Sequence, residues 1–235
     1  RATISKYTDP IAHATRLTPP KPELRPDLSN VTLWSCCWSQ DPAMQGKIVS
    51  VLRHTMRVAN FGRVLLLTCQ STPPINGIEI VAIDSISDIA HWNEFVNRSV
   101  PRYIPEPFAM SIHEDGFPIR QDLWNPRFLE YDYIGAPWLD GVVGNGGFNI
   151  ESQRLLQAKL ALETSDTLSV ASDYWVCRNH RREFESAGIR FAPRDLALTF
   201  STETFGNKWP SFGFHGRNHA INKYQQGWVL INSQP

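Results

Sequence analysis

Apolar residues along the chain recur with two periods, and the switches between them lay out an order of strands and helices. Val31 to Trp38 (VTLWSCCW) is rich in β-branched and aromatic side chains and predicts a first strand. Gln40, Asp41 and Pro42 make the loop after it. From Gly46 to Ala59, apolar Ile48, Leu52, Met56 and Ala59 recur at helical spacing, with Lys47, Arg53 and Arg57 elsewhere on the surface. Gly62 resets the chain for a second strand, Val64 to Thr68. Pro73-Pro74 and Asn76-Gly77 turn it, and Ile78 to Ile83 is a third strand. Asp88 to Arg98 predicts a helix with Ile89, Trp92 and Val96 on one face. Phe108 to Ile112 reads as a central strand and Tyr131 to Ala136 as another. Asn149 or Ser152 can cap a helix that buries Leu155, Leu156, Ala158, Leu160 and Leu162. Asp173 lies near the start of a further helix ending around Gly188, a suitable C′ residue. Ile189 to Ala192 and Leu196 to Phe200 read as short strands, and Phe212-Gly-Phe-His-Gly216 as an aromatic-glycine turn.

This order predicts an α/β fold, Rossmann-like, with a mixed but mainly parallel sheet flanked by helices. Residues 1–30 carry five of the 17 prolines and read as an extended arm. Residues 31–235 read as a single domain, because no linker-like stretch divides them. The 23 basic and 23 acidic residues balance, so neither nucleic acid nor an anionic membrane is an expected partner. No apolar run approaches the length of a membrane span, so no transmembrane segment is expected. Cys36, Cys37, Cys69 and Cys177 lack zinc-like spacing and are expected as free thiols, which fits a reducing, cytoplasmic setting. The chain begins at Arg1 rather than Met. If an N-terminal anchor was trimmed away, the luminal face of the secretory pathway is the alternative. Asn30-Val-Thr32 and Asn97-Arg-Ser99 match the glycosylation sequon, a pattern that arises often by chance.

Candidate chemistry gathers at the end of the strand Phe108 to Ile112. Three metal- or proton-competent side chains, His113, Glu114 and Asp115, follow it directly, and Gly116 turns the chain. Ligands of α/β sheets bind just beyond the carboxyl ends of strands. A hard divalent cation that bridges phosphate oxygens wants carboxylates, and Mn²⁺ also accepts imidazole more readily than Mg²⁺ does. Asp115 with Glu114 or His113, plus a distant histidine such as His215, would suit either ion. Gly144-Asn145-Gly146-Gly147 lets the backbone come close to a ligand. Trp138 and Phe148 could bracket a sugar. Asp173 could act as a general base. Each feature also has a plainer reading. These are a polar Glu-Asp-Gly turn with a glycine-rich hairpin, a packed or surface histidine at 113, a helix N-terminal acid at 173, and core aromatics at 138 and 148. His180 and His219, in polar surroundings, read as surface residues. P-loop, GxSxG, HExxH and GxGxxG motifs are missing from the sequence.

From Phe95 to about Arg217 the sequence resembles a domain family of unknown function that is regarded as glycosyltransferase-like. The matching pieces are Asp115-Gly-Phe117, the run WNPRFLEYDYIGAPW from Trp124 to Trp138, and Gly144-Asn-Gly-Gly-Phe148. Ser172-Asp-Tyr-Trp175 and Phe212-Gly-Phe-His-Gly216 follow, whereas the first 90 residues match only in strand–helix order. The resemblance implies a GT-A type fold, with Asp115 as the strand-end acid of a DxD-like motif and His215 as a late metal ligand. It further implies that Asn145, Gly146 and Gly147 lie beside donor sugar or acceptor, and that Asp173 sits where inverting members place their base. The expected activity is that of a glycosyltransferase assisted by Mn²⁺ or Mg²⁺. It would move a sugar from a nucleotide-diphosphate donor to a hydroxyl acceptor such as a glycan or polysaccharide. Three departures stand out. The motif reads His113-Glu114-Asp115, Ser172 replaces an acid, and Glu151 stands where the family has arginine, which would reverse the local charge. The first two favour an alternative, a catalytically silent module that binds a saccharide or nucleotide. A nucleotidyltransferase is a third reading, but Ser39 to Gly46 lacks the basic phosphate-gripping loop it would want.

Overall fold

The computed structural model describes residues 25–162, 170–203 and 211–216. Residues 1–24 of the expected arm, and His219, lie outside them. Strand β1 (Asp27–Cys37) is nearly all buried because its alternate side chains serve two different apolar clusters. Val31, Leu33 and Cys37 join one cluster, and Trp34 and Cys36 join the other. Strand β2 (Asn60–Thr68) divides likewise, with Val64 and Leu66 on one side and Leu65 and Leu67 on the other. Further along come β3 (Glu79–Ala82), β4 (Phe108–Ile112), β5 (Gly116–Pro118), β6 (Tyr133–Gly135) and β7 (Phe148–Ser152). All but β5 form a six-stranded sheet of order β3-β2-β1-β4-β7-β6. β1 runs parallel to β2 and β4, β2 runs parallel to β3, and β7 is antiparallel to both its neighbours. The expected mixed, mainly parallel sheet is therefore observed, with helices over it.

Residues 27–30, expected within the arm, belong to β1: Leu28 is buried, and Asp27 and Leu28 pair with Asn60 and Phe61. Helix α1 (Pro42–Val58) starts ahead of the expected Gly46 because the Asp41 carboxylate caps it, accepting the Ala43 N–H at 2.9 Å. Gly46 sits exposed inside α1, and a Cβ there would meet nothing within 4 Å. Gly46→Ala should therefore raise stability by about 0.5–1 kcal/mol, read as a higher denaturation midpoint. Helix α2 (Ile89–Glu94), capped by Asp88, continues into a π turn, Phe95–Ser99. Trp92 and Val96 pack on the second cluster, but Ile89, expected on the same face, is 60% exposed in the first turn. Asn97 is 0% exposed, so the asparagine of the second sequon is buried in the folded chain.

Ser152 caps helix α3 (Gln153–Ala161), accepting the Leu155 N–H, while Asn149 stays in β7. Helix α4 (Ser172–Tyr174) passes into a second π turn, Trp175–Asn179, and α5 (Arg181–Ser186) ends at Gly188 with φ +83°. Leu196 to Phe200, expected as a strand, lies in helix α6 (Arg194–Phe200). The Pro193 carbonyl opens that helix by accepting the Ala197 N–H at 3.0 Å. Of the expected strand Ile189 to Ala192, only a bridge between Phe191 and Tyr133 forms. Strand β8 (Ser201–Thr202) and β9 (Gly213–His215) join β5 in a second sheet, β5-β9-β8. The expected turn at residues 212–216 is thus largely strand. Phe117, Phe212 and Phe214 fuse this sheet with the larger apolar cluster.

His54 on α1 ties the two sheets together by donating from Nε2 to the Pro118 carbonyl at 2.9 Å. Burial lowers its pKa to about 4, against the Pro118 hydrogen bond and with help from Arg57. The unfolded chain takes up this proton near the ordinary value of 6.5 and the folded chain only near 4. Between those values the unfolded state binds more protons, so stability should fall as pH drops from about 6.5 towards 4. Melting temperatures across that window should decline, with a shallower slope in His54→Gln; equal slopes would contradict the assignment. No helix among the described residues is long and apolar enough to cross a membrane. All four cysteines are free.

Candidate metal and donor site

β4 leaves the sheet at Ile112, and strand alternation carries His113 to the side of Ala109, Trp92 and the second cluster. A tight turn follows: the His113 N–H donates to the Gly116 carbonyl at 2.9 Å, and the Gly116 N–H donates back at 3.2 Å. Glu114 and Asp115 occupy its tip. β5 then pairs antiparallel with β9, which sets Gly116 opposite His215. The Gly216 N–H also donates to the Asp115 carbonyl at 2.9 Å. Backbone pairing alone therefore brings a residue from the end of the described chain beside Asp115. His215 Nε2 lies 3.6 Å from Asp115 Oδ1, and the His113 and His215 rings meet edge to face at 5.9 Å. One ligand atom each from His113, Asp115 and His215 falls within 4.8 Å of the others. Glu114 is not in this group. Its charge is felt instead at the Cys37 thiol, which burial chiefly, and Cys69 and Glu114 secondarily, push up to about 11 against a backbone bond from Ser39.

The two histidines are tuned in opposite directions. Burial, helped by the adjacent His215 and opposed by Asp115, lowers the His113 pKa to about 4, so its imidazole is neutral at pH 7 and able to coordinate. Burial would lower His215 too, but contact with Glu203 and the charges of Asp115, Glu203 and Asp173 outweigh it and raise the value. His215 Nδ1 approaches Glu203 Oε1 at 3.4 Å, a charge contact rather than an aligned hydrogen bond. A carboxylate behind a coordinating histidine fixes which ring nitrogen faces the ion. Glu203 carried no sequence signal, because only the second sheet brings it to His215.

The glycine loop lies against this cluster. Asn145 adopts φ +68° and is buried, and its side-chain oxygen accepts the Gly147 N–H at 3.3 Å. The Gly146 N–H donates to Asp173 Oδ2 at 2.8 Å, and the Tyr174 N–H donates to Asp173 Oδ1 at 2.8 Å. Gly147 has no room for a side chain, since a Cβ would fall 1.8 Å from His215 Nε2. Gly144 carries the Trp138 ring, where a Cβ would fall 2.1 Å from it. Trp138 is half-buried beside Tyr174, with the Arg178 guanidinium 4.6 Å over its face. Phe148 is fully buried and stacked on Phe200 at 4.6 Å, which gives it the packing role.

Glu151 pairs with Lys159, 1% exposed on α3, at 2.8 Å. One sequence expectation is corrected. His180 is not a surface residue but lies buried against Trp175, ring centroids 4.7 Å apart. Cavities of about 430 and 510 Å³ lie away from the cluster, one between Arg25 and Glu79 and one between Tyr131 and Arg194. Neither cavity is lined by His113, Asp115 or His215.

A family profile described as "Protein of unknown function (DUF5672)" matches residues 80–215. No curated protein sequence matches the chain. Among solved structures, the chain is similar to a glycosyltransferase involved in glycosylation of the major capsid of PBCV-1. Identity there is 11% over 85% of this chain and 98% of that one, with a TM-score of 0.49. It is also similar to the mannosyltransferase PcManGT from Pyrobaculum calidifontis, solved in complex with GDP-Man and Mn²⁺. Identity in that case is 13% over 78% of this chain and 60% of that one, with a TM-score of 0.44.

Proposed function

We infer that this chain, which belongs to the family described as "Protein of unknown function (DUF5672)", is a metal-assisted glycosyltransferase that uses a nucleotide-diphosphate sugar. The observation that carries the reading is the convergence of His113, Asp115 and His215 beyond the carboxyl end of β4. Two imidazoles and one carboxylate with mutually close ligand atoms fit Mn²⁺ better than Mg²⁺, which prefers an all-oxygen shell. A cation held there would supply positive charge to a leaving diphosphate. His113, already neutral, offers a ring nitrogen, His215 offers Nε2, and Asp115 offers the anionic oxygen. Gly146 and Gly147 lack side chains, which lets Asp173 and the His215 ring close directly onto the glycine loop beside the cluster.

Asp173 has two tasks in this reading. It fixes the glycine loop through Gly146, and each of its oxygens keeps a second lone pair for the proton of an acceptor hydroxyl. Transfer with that base would invert the anomeric centre, and a glycan hydroxyl is the proposed acceptor. The occupied state of both Asp173 oxygens favours a second reading, a module that binds nucleotide sugar without turning it over. A screen of nucleotide sugars with Mn²⁺, read by hydrolysis or transfer and by calorimetry, separates the two. Metal-coupled binding with turnover of at least one donor is the expected result. Metal-coupled binding with no turnover across an acceptor panel assigns the silent module, and binding indifferent to Mn²⁺ rejects the metal site.

A further inference from the structure

The order of the large sheet creates a place for a ligand apart from the ion cluster. From β1 the chain steps to β2 and then β3 on one side, and β4 lands on the other side of β1. Segments leaving β1 and β4 therefore part from each other, and the crevice beyond such a reversal is the preferred ligand position in open α/β sheets. Trp38 directly follows the last residue of β1, and His113 directly follows the last residue of β4. Trp92 from α2 spans the gap. Its ring lies 6.1 Å from Trp38, inclined by 21°, and 6.1 Å from His113, inclined by 64°. Phe95 backs Trp92 at 6.3 Å.

Trp92 is held by the second apolar cluster, but Trp38 belongs to neither cluster and is 38% exposed. A large indole left 38% exposed just past the carboxyl end of a central strand, stacked on a second indole that touches the His113 ring, is placed to receive a flat ligand. We propose that Trp38 and Trp92 form the platform on which the base of the donor nucleotide stacks. The proposal rests on the nucleotide-sugar reading above and deepens it. With the diphosphate at His113, Asp115 and His215, the nucleoside extends along the row His113, Trp92, Trp38. Base–indole stacking accepts any base, because every base has a π-face, so the platform supplies affinity more than discrimination.

Calorimetric titration of the full chain tests this with Mn²⁺ alone, with pyrophosphate plus Mn²⁺, and with UDP or GDP plus Mn²⁺. Wild type is compared with Trp38→Ala and Trp38→Phe, substitutions outside both core clusters. Trp38→Ala should lose about 10- to 100-fold in nucleoside diphosphate affinity, keep its affinity for Mn²⁺ and pyrophosphate, and regain most of the loss in Trp38→Phe. Unchanged UDP and GDP affinity in Trp38→Ala overturns the platform, and so does wild type that binds neither or binds pyrophosphate equally well. Tryptophan-dependent UDP or GDP binding that ignores Mn²⁺ supports the platform and overturns the metal-assisted reading instead.

Discussion

Asp115→Ala should lower donor turnover by at least about 10²–10³-fold while the protein still folds, since this side chain is the one anionic ligand in the cluster. Its loss leaves two imidazoles to hold a dication against a polyanionic substrate, with no fixed negative charge between them. The fold should tolerate the change, because the Asp115 backbone carbonyl, which accepts the Gly216 N–H, is kept in the variant. The Asp115 side chain itself is 18% exposed, so alanine leaves no deep cavity. Mn²⁺ titration, donor hydrolysis and thermal melting form the necessary set. Activity near wild type would falsify the assignment, whereas a collapsed melting curve would mark Asp115 as a structural residue.

Gly147→Ala is expected to remove the metal site by a different route. The backbone of Gly147 is not in the left-handed region, so alanine meets no conformational penalty there. The obstacle is contact, with the new Cβ 1.8 Å from His215 Nε2. Either the imidazole turns out of the cluster or the glycine loop withdraws, and both separate His215 from Asp115. Mn²⁺ affinity should drop by roughly 100-fold or more, and stability should fall by about 1–3 kcal/mol from overpacking. Adding His215→Ala relieves the clash, so the double variant should recover stability but not Mn²⁺ binding, a non-additivity that neighbouring sites show. Additive stability losses would mean that ring and loop do not press on each other.

Continuous apolar runs made β1, β2 and β4 legible, because each is buried on both faces and carries apolar side chains at successive positions. Helix α1 was legible from its spacing, but its start depended on the Asp41 cap and Pro42, which periodicity does not register. Leu196 to Phe200 was misread because a five-residue apolar run fits a helix or a strand equally well, and Pro193 decided between them. His180 was misread because its sequence neighbours are polar, whereas its burial comes from Trp175 in the preceding π turn. In the site, Asp115 and His215 stood out because each directly precedes a glycine, Gly116 or Gly216. Trp38, Trp92 and Glu203 did not, because their roles arise from a strand reversal and a sheet pairing that join distant segments. The partner of Glu151, Lys159 eight residues on, was likewise placed only by the fold.

The position of β1 between β2 and β4 limits how this protein can be divided for experiments. Residues 80–215 carry the family match and all three cluster side chains, yet they omit both β1 and β2. In such a fragment the positions of β4 that pair with Val31 to Trp34 would become an open, apolar sheet margin, the kind of surface that recruits other chains. Expressed alone, it would be prone to self-association, and soluble preparations should retain the upstream strands.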